Sequence, residues 1–135
     1  MATNPTQDFI TFDEYLTYWA NARPDGPALV EGDRTTSYAE TDRITRQLIA
    51  FFKNHGIGKG DRIGWLGKNA DHYLLLLYAA GRMGAVMAPV GWRLAPPEIA
   101  YILAAPAPRK LLPAGGLIKP RKRVTTGRKA GRRWY

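Results

Sequence analysis

The stretch RIGWLGKNADHYLLLLYAAGRMGAVMAPV, residues 62–90, decides the fold. Its first five residues, Arg62 to Leu66, form a short apolar run bounded by glycines, the signature of a buried strand. From Ala70 to Met83 the residues are helix formers, apolar on more than one face, with Asn69 placed to cap the first turn. Gly84 supplies the left-handed stop, and Ala85 to Val90 read as a second buried strand. Strand, helix and strand at this spacing make a βαβ unit, whose strands pair in parallel. A transmembrane span is the rival reading, since residues 73–92 carry only Arg82 as a charge and number twenty. Gly81, Gly84 and Pro89 interrupt that run, and a central arginine is costly in lipid. No membrane span is expected.

The neighbouring sequence extends the unit both ways. Upstream, Thr11 and Glu14 have capping-box spacing before a helix over about residues 12 to 21. That helix presents Phe12, Tyr15, Leu16 and Trp19 on one side and ends before Pro24. Two short stretches flank Gly32-Asp33, a pair suited to a tight hairpin turn. Ser37 and Glu40 repeat the capping spacing. The helix behind them is expected to bury Ala39, Ile44, Leu48 and Phe51 or Phe52, to leave Arg43, Arg46 and Lys53 in water, and to stop at Gly56. Downstream, Pro96, Pro97 and Glu98 suit the first turn of a helix reaching about Ala104. The fold class is therefore α/β, with short parallel strands and flanking helices.

Charge divides the chain. Residues 1–104 hold 10 Lys and Arg against 11 Asp and Glu, whereas residues 105–135 hold 10 Lys and Arg and no acid. That second segment also contains Pro106, Pro108, Pro113 and Pro120 and few large apolar residues, so it buries too little surface to offset its ordering entropy. Two units are expected: 1–104 as a folded body and 105–135 as a disordered basic tail. The tail's Arg, Pro, Ala and Gly bias is also what GC-rich codons yield when read out of frame, so a frameshift product is a second reading of it. Weak, non-specific polyanion or nucleic-acid binding through residues 105–135, with Trp134 and Tyr135 available for stacking, is the functional alternative.

Composition excludes some chemistry. With no cysteine there is neither disulfide nor thiolate. His55 and His72 offer little to a histidine metal site, and His72 is expected at the surface. The N-terminus lacks the basic and apolar regions of a secretory signal, so a cytoplasmic protein is expected. Asp61 and Arg93 could contact a ligand, but a turn or helix-flanking salt bridge is the expectation for each. No nucleophile, base and orienting group can be assembled from these spacings, and no residue is assigned a catalytic, cofactor-binding or metal-ligating role.

The body resembles the N-terminal segment of the adenylate-forming, AMP-binding acyl-CoA synthetase superfamily. The resemblance rests on Gly60-Asp61-Arg62 before a strand, Asn69 opening a helix, Gly84-Ala85 before the next strand, Pro89, and Arg93-Leu94 ahead of a proline- and glutamate-led helix. Gly91 stands where the family usually has asparagine. RPDGPALVEGDRTTSYAE is similar to the family's opening hairpin and helix, and the likeness runs from about Phe12 to Ala104. It implies that the parent enzyme activates a carboxylic acid with ATP, releasing pyrophosphate, and passes the acyl group from AMP to the thiol of coenzyme A. ATP, magnesium and coenzyme A are thus implied for the full-length enzyme, with a carboxylic acid as substrate, in keeping with a role such as fatty acid metabolism. The family's phosphate loop resembles Ser-Gly-Thr-Thr-Gly-x-Pro-Lys-Gly. Thr125-Thr126-Gly127 with Lys129 is similar only in composition: the Ser-Gly is missing, no proline precedes the lysine, and Gly131 falls one place late. A truncated chain with no cofactor of its own, inactive alone, is the expectation.

Overall fold

A computed structural model describes residues 11–104 and 108–113. Helix α1 (Phe12–Ala22) starts on a complete capping box: Thr11 Oγ1 accepts from the Glu14 amide and the Glu14 carboxylate accepts from the Thr11 amide. Strands β1 (Pro27–Glu31) and β2 (Arg34–Ser37) pair antiparallel across a turn at Gly32, whose φ of 59° is left-handed. Helix α2 (Tyr38–Asn54) follows, and the chain leaves it through Gly56 at φ 71°. At its start only half of the expected capping pair forms. Ser37 Oγ accepts from the Glu40 amide, while Glu40 pairs with Arg43 instead.

Strand β3 (Arg62–Leu66), helix α3 (Asp71–Met83), strand β4 (Val86–Val90), helix α4 (Pro96–Ala104) and strand β5 (Lys110–Pro113) complete the described chain. The sheet order is β4-β3-β5, with both pairs parallel. Right-handed crossovers are the general rule for parallel strands. Here β3 to β4 and β4 to β5 run in opposite directions along the sheet, which sets α3 and α4 on opposite faces.

One face is the core. Ile63 and Trp65 of β3 pack with Leu76, Ala79 and Ala80 of α3 and Phe52 of α2, all buried, and Met87 and Leu112 join from the flanking strands. Gly64 points to the other face. A Cβ there would lie 2.9 Å from Leu111 Cδ1 and 3.1 Å from Pro108 Cγ, so β5 closes onto β3 because the glycine leaves room.

Four features depart from the sequence reading. Asn69 is not the cap of α3: Ala70 is, with no side-chain bond of its own. The hairpin takes over that end. The Asp71 amide lies 3.5 Å from Glu31 Oε2, and Arg34 forms an ion pair with Asp71. In α2, Ala39 is exposed and Ile44 and Leu48 are only half-buried, while of Phe51 and Phe52 it is Phe52 that is buried. The fully buried stripe is Thr41, Asp42, Thr45 and Phe52. Polar residues can occupy it because Thr41 donates to the Ser37 carbonyl at 2.7 Å and Asp42 meets an arginine. In α1, Leu16 alone is fully buried, while Phe12 keeps half its surface exposed and stacks on Tyr78 at 4.5 Å. Lastly, no element was expected after Ala104, yet β5 follows, because Lys110, Leu111 and Leu112 find backbone partners along β3. The basic residues 114–135, including Thr125 to Lys129, Trp134 and Tyr135, lie outside the described residues, as do 105–107.

Candidate functional site

The carboxyl ends of β3 and β4 open into one pocket of about 470 Å³. Crevices at the carboxyl ends of parallel strands are where open α/β sheets bind ligands, because the loops there splay to opposite faces. The β3 loop contributes Gly67, Lys68 and Asn69; the β4 loop contributes Gly91, Trp92 and Arg93. Trp65 forms the floor, nearly buried, and its indole N–H donates to the Lys68 carbonyl at 3.3 Å. That bond ties the loop to the core.

Trp92 organises the charges. Lys68 Nζ lies 4.9 Å from its ring centroid and the Arg93 guanidinium carbon 4.8 Å. Two cations held on one indole repel each other, by roughly 0.5 to 1 kcal/mol in a watery dielectric. The attraction of each for the ring offsets this. No acidic residue lines the pocket, and neither cation has a carboxylate partner among the described residues. Two cations without a carboxylate partner, beside the Gly67 and Gly91 backbones, are suited to an anion.

The two polar candidates named from sequence part company. Asp61 sits before the amino end of β3 and binds Arg109 at 3.1 Å and the Gly58 amide at 2.9 Å. The Gly58 N–H, with help from Arg109, holds its carboxyl below the usual carboxylate range against the opposing effect of burial. It is a structural tie between a turn and β5. Arg93 stands at the opposite end of the sheet, in the pocket. Lys68 and Trp92 had no sequence signal, since only the fold brings their two loops together. His72 is exposed, beside Asp71, and His55 bonds the Phe51 carbonyl, so the histidines are apart. Among the described residues no cluster of three or more His, Asp or Glu could hold a metal ion, and no helix is long and apolar enough to cross a membrane.

Comparison with known proteins agrees with this architecture. The profile of the AMP-binding enzyme family matches residues 16–130. That span continues past Ala104, where the sequence reading had ended the body. A fatty acid–[acyl-carrier-protein] ligase from Streptomyces coeruleorubidus is 33% identical over 93 residues, 69% of this chain and 18% of the relative. A feruloyl-CoA synthase from an Amycolatopsis species is 36% identical over 85 residues, 63% of this chain and 17% of the relative. The crystal structure of the N-terminal domain of FACL13 from Mycobacterium tuberculosis superposes with a TM-score of 0.73 at 29% identity, covering 78% of this chain and 27% of that one. The chain therefore spans under a fifth of the length of the curated relatives it matches.

Proposed function

This chain belongs to the AMP-binding enzyme family, and on that premise we propose that it is the N-terminal sheet segment of a ligase that activates a carboxylic acid. In that reaction the carboxylate displaces pyrophosphate from ATP, and a thiol such as that of coenzyme A then displaces AMP from the acyl-adenylate. The observation that carries the reading is the basic corner of Lys68 and Arg93 on Trp92, placed at the carboxyl ends of parallel strands. Its charge and donor geometry suit the phosphate groups that both ATP and coenzyme A bear.

What the described residues do is hold an anion, and that is all the chemistry assigned to them. Among the described residues no cluster of His, Asp and Glu could hold magnesium. No acyl-adenylate formation is expected of this chain by itself.

Two measurements test this. Carboxylate-dependent ATP–pyrophosphate exchange on the pure chain should stay at background; turnover by the chain alone would refute the reading. Titration with coenzyme A, followed by Trp92 fluorescence, should show saturable binding that Lys68→Ala and Arg93→Ala each weaken by about tenfold, or 1.4 kcal/mol. Equal binding by both variants and the parent chain removes the corner from the account.

A further inference from the structure

Arg34, Arg46 and Arg82 each meet an aspartate, whereas Lys68 and Arg93 meet the Trp92 ring and no carboxylate among the described residues. Outside the described residues the only acidic side chain is Asp8, so the chain holds almost nothing else to neutralise the pair. The backbone of each loop is tied down. The Trp65 indole donates to the Lys68 carbonyl, and the Leu94 amide donates to the Gly91 carbonyl at 3.2 Å. Gly91 makes room for that second turn, since a Cβ there would lie 3.3 Å from Leu94 Cδ1 and Cγ. What stays loose are the long side chains of Lys68 and Arg93, and like charges on flexible stems move apart unless a third group holds them. Trp92 is that group, with its ring less than half exposed to water at 44% and both cations close to its centroid, at 4.9 Å and 4.8 Å.

We propose that Trp92 is a positioning residue that holds Lys68 and Arg93 as one doubly charged unit, and so makes the corner select a phosphomonoester over a phosphodiester. A terminal phosphate carries a charge of about −1.5 to −2 at pH 7 and three strong acceptor oxygens. A diester carries a single charge and two free oxygens. The guanidinium and the ammonium are both donors only, and together they match the first ligand in charge and in number of acceptors. Removing the ring would keep both cations but release them as separate charges, each free to meet an anion alone. A dianion that engages the two at once then has to order them on binding, whereas the indole orders them beforehand. Coenzyme A carries such a group as its 3′-phosphate and ATP as its γ-phosphate. The inference therefore rests on the reading of this corner as a nucleotide-phosphate site, and narrows it.

The full chain is titrated with inorganic phosphate and with dimethyl phosphate, followed by the amide resonances of residues 67–69 and 91–93. Near neutral pH phosphate should bind about tenfold more tightly than the diester, and the ratio should fall towards one as phosphate becomes a monoanion at about pH 5. Trp92→Leu keeps both cations and should cut the ratio to about threefold or less; Trp92→Phe, which retains a ring, should restore most of it. In the ligand-free chain the Lys68 ε-methylene and Arg93 δ-methylene protons should resonate upfield, under the ring current, and Trp92→Leu should abolish that shift. Equal binding of the two anions by the parent chain, no binding of phosphate, or a ratio that Trp92→Leu leaves unchanged overturns the proposal. So does the absence of the upfield shifts. Coenzyme A, 3′-dephospho-coenzyme A and ATP then separate the sources: binding lost with the 3′-phosphate assigns the site to coenzyme A, and binding of ATP alone assigns it to the γ-phosphate. If phosphate is selected and none of the three nucleotides binds, the positioning role of Trp92 stands and the nucleotide reading alone fails.

Discussion

Arg82 Nη1 donates to Asp42 Oδ1 at 2.9 Å, joining α3 to α2 across 40 residues of sequence. The same guanidinium reaches α1, through Nε to Asp13 at 2.6 Å and through Nη2 to Thr17 at 3.0 Å. Three helices thus meet on one side chain. The group is only 21% exposed and Asp42 11%, so solvent screens the pairs weakly.

Replacing Arg82 with methionine should therefore leave Asp13 without its cation and Asp42 with the exposed Arg46 alone. Loss of about 3 kcal/mol is expected, read as a lower midpoint in urea unfolding. Arg82→Lys should recover little of it, because a single ammonium cannot hold three acceptors in a planar fork. Full recovery by lysine would show the cluster to be simple charge neutralisation.

Thr45 gives a change in the opposite direction. It is fully buried and its hydroxyl has no hydrogen-bond partner among the described residues. Thr45→Val keeps the shape and removes the unsatisfied group, so stability should rise by about 1 kcal/mol. A fall in the unfolding midpoint would point to a bound water serving that oxygen.

Asp61 sets the acid response of the turn before β3. Its pKa is lowered on folding, chiefly by the Gly58 amide and then by Arg109. A lowered carboxylate contributes stability that is present above the unfolded pKa of about 3.9 and is lost as pH falls through the folded value. The thermal midpoint should thus drop below about pH 4, and Asp61→Asn should flatten that limb while lowering the midpoint at neutral pH. Parallel pH profiles for both proteins would exclude Asp61 as the cause.

Gly64→Ala tests the closure of β5. The added Cβ would sit 3.4 Å from the Lys110 carbonyl oxygen as well as against Leu111 and Pro108. The leucine tip can swing away, but backbone and a proline ring yield less. A cost of about 1 to 3 kcal/mol is expected, with faster amide exchange confined to residues 110–113. Exchange that is unchanged there would mean β5 is not held by this contact.

Strand, helix and turn positions in the body were legible because their causes are local. The Thr11–Glu14 capping box lies within four residues, the Gly32 turn within two, and the Gly84 stop needs only its own φ of 67°. Asn69 and Ala39 misled for the complementary reason. Residue type points to a cap at Asn69, but Arg34 and Glu31 of the hairpin serve that helix end from across the fold. A stripe was assigned from apolarity, but Arg82 turned the polar side of α2 inward. β5 was missed because residues 110–113 have no periodicity of their own and become a strand only beside β3.

Amino-acid order by itself determined the α/β alternation, the helix ends that side chains a few residues away can satisfy, and the likeness to a ligase family, since each depends on spacing along the chain. Only the tertiary structure decided that Lys68 and Arg93 share Trp92 and that Arg82 gathers three helices. Charge attraction and apolar burial act through space, and which distant residues become neighbours is set by how the parallel strands stack, not by any interval in the sequence.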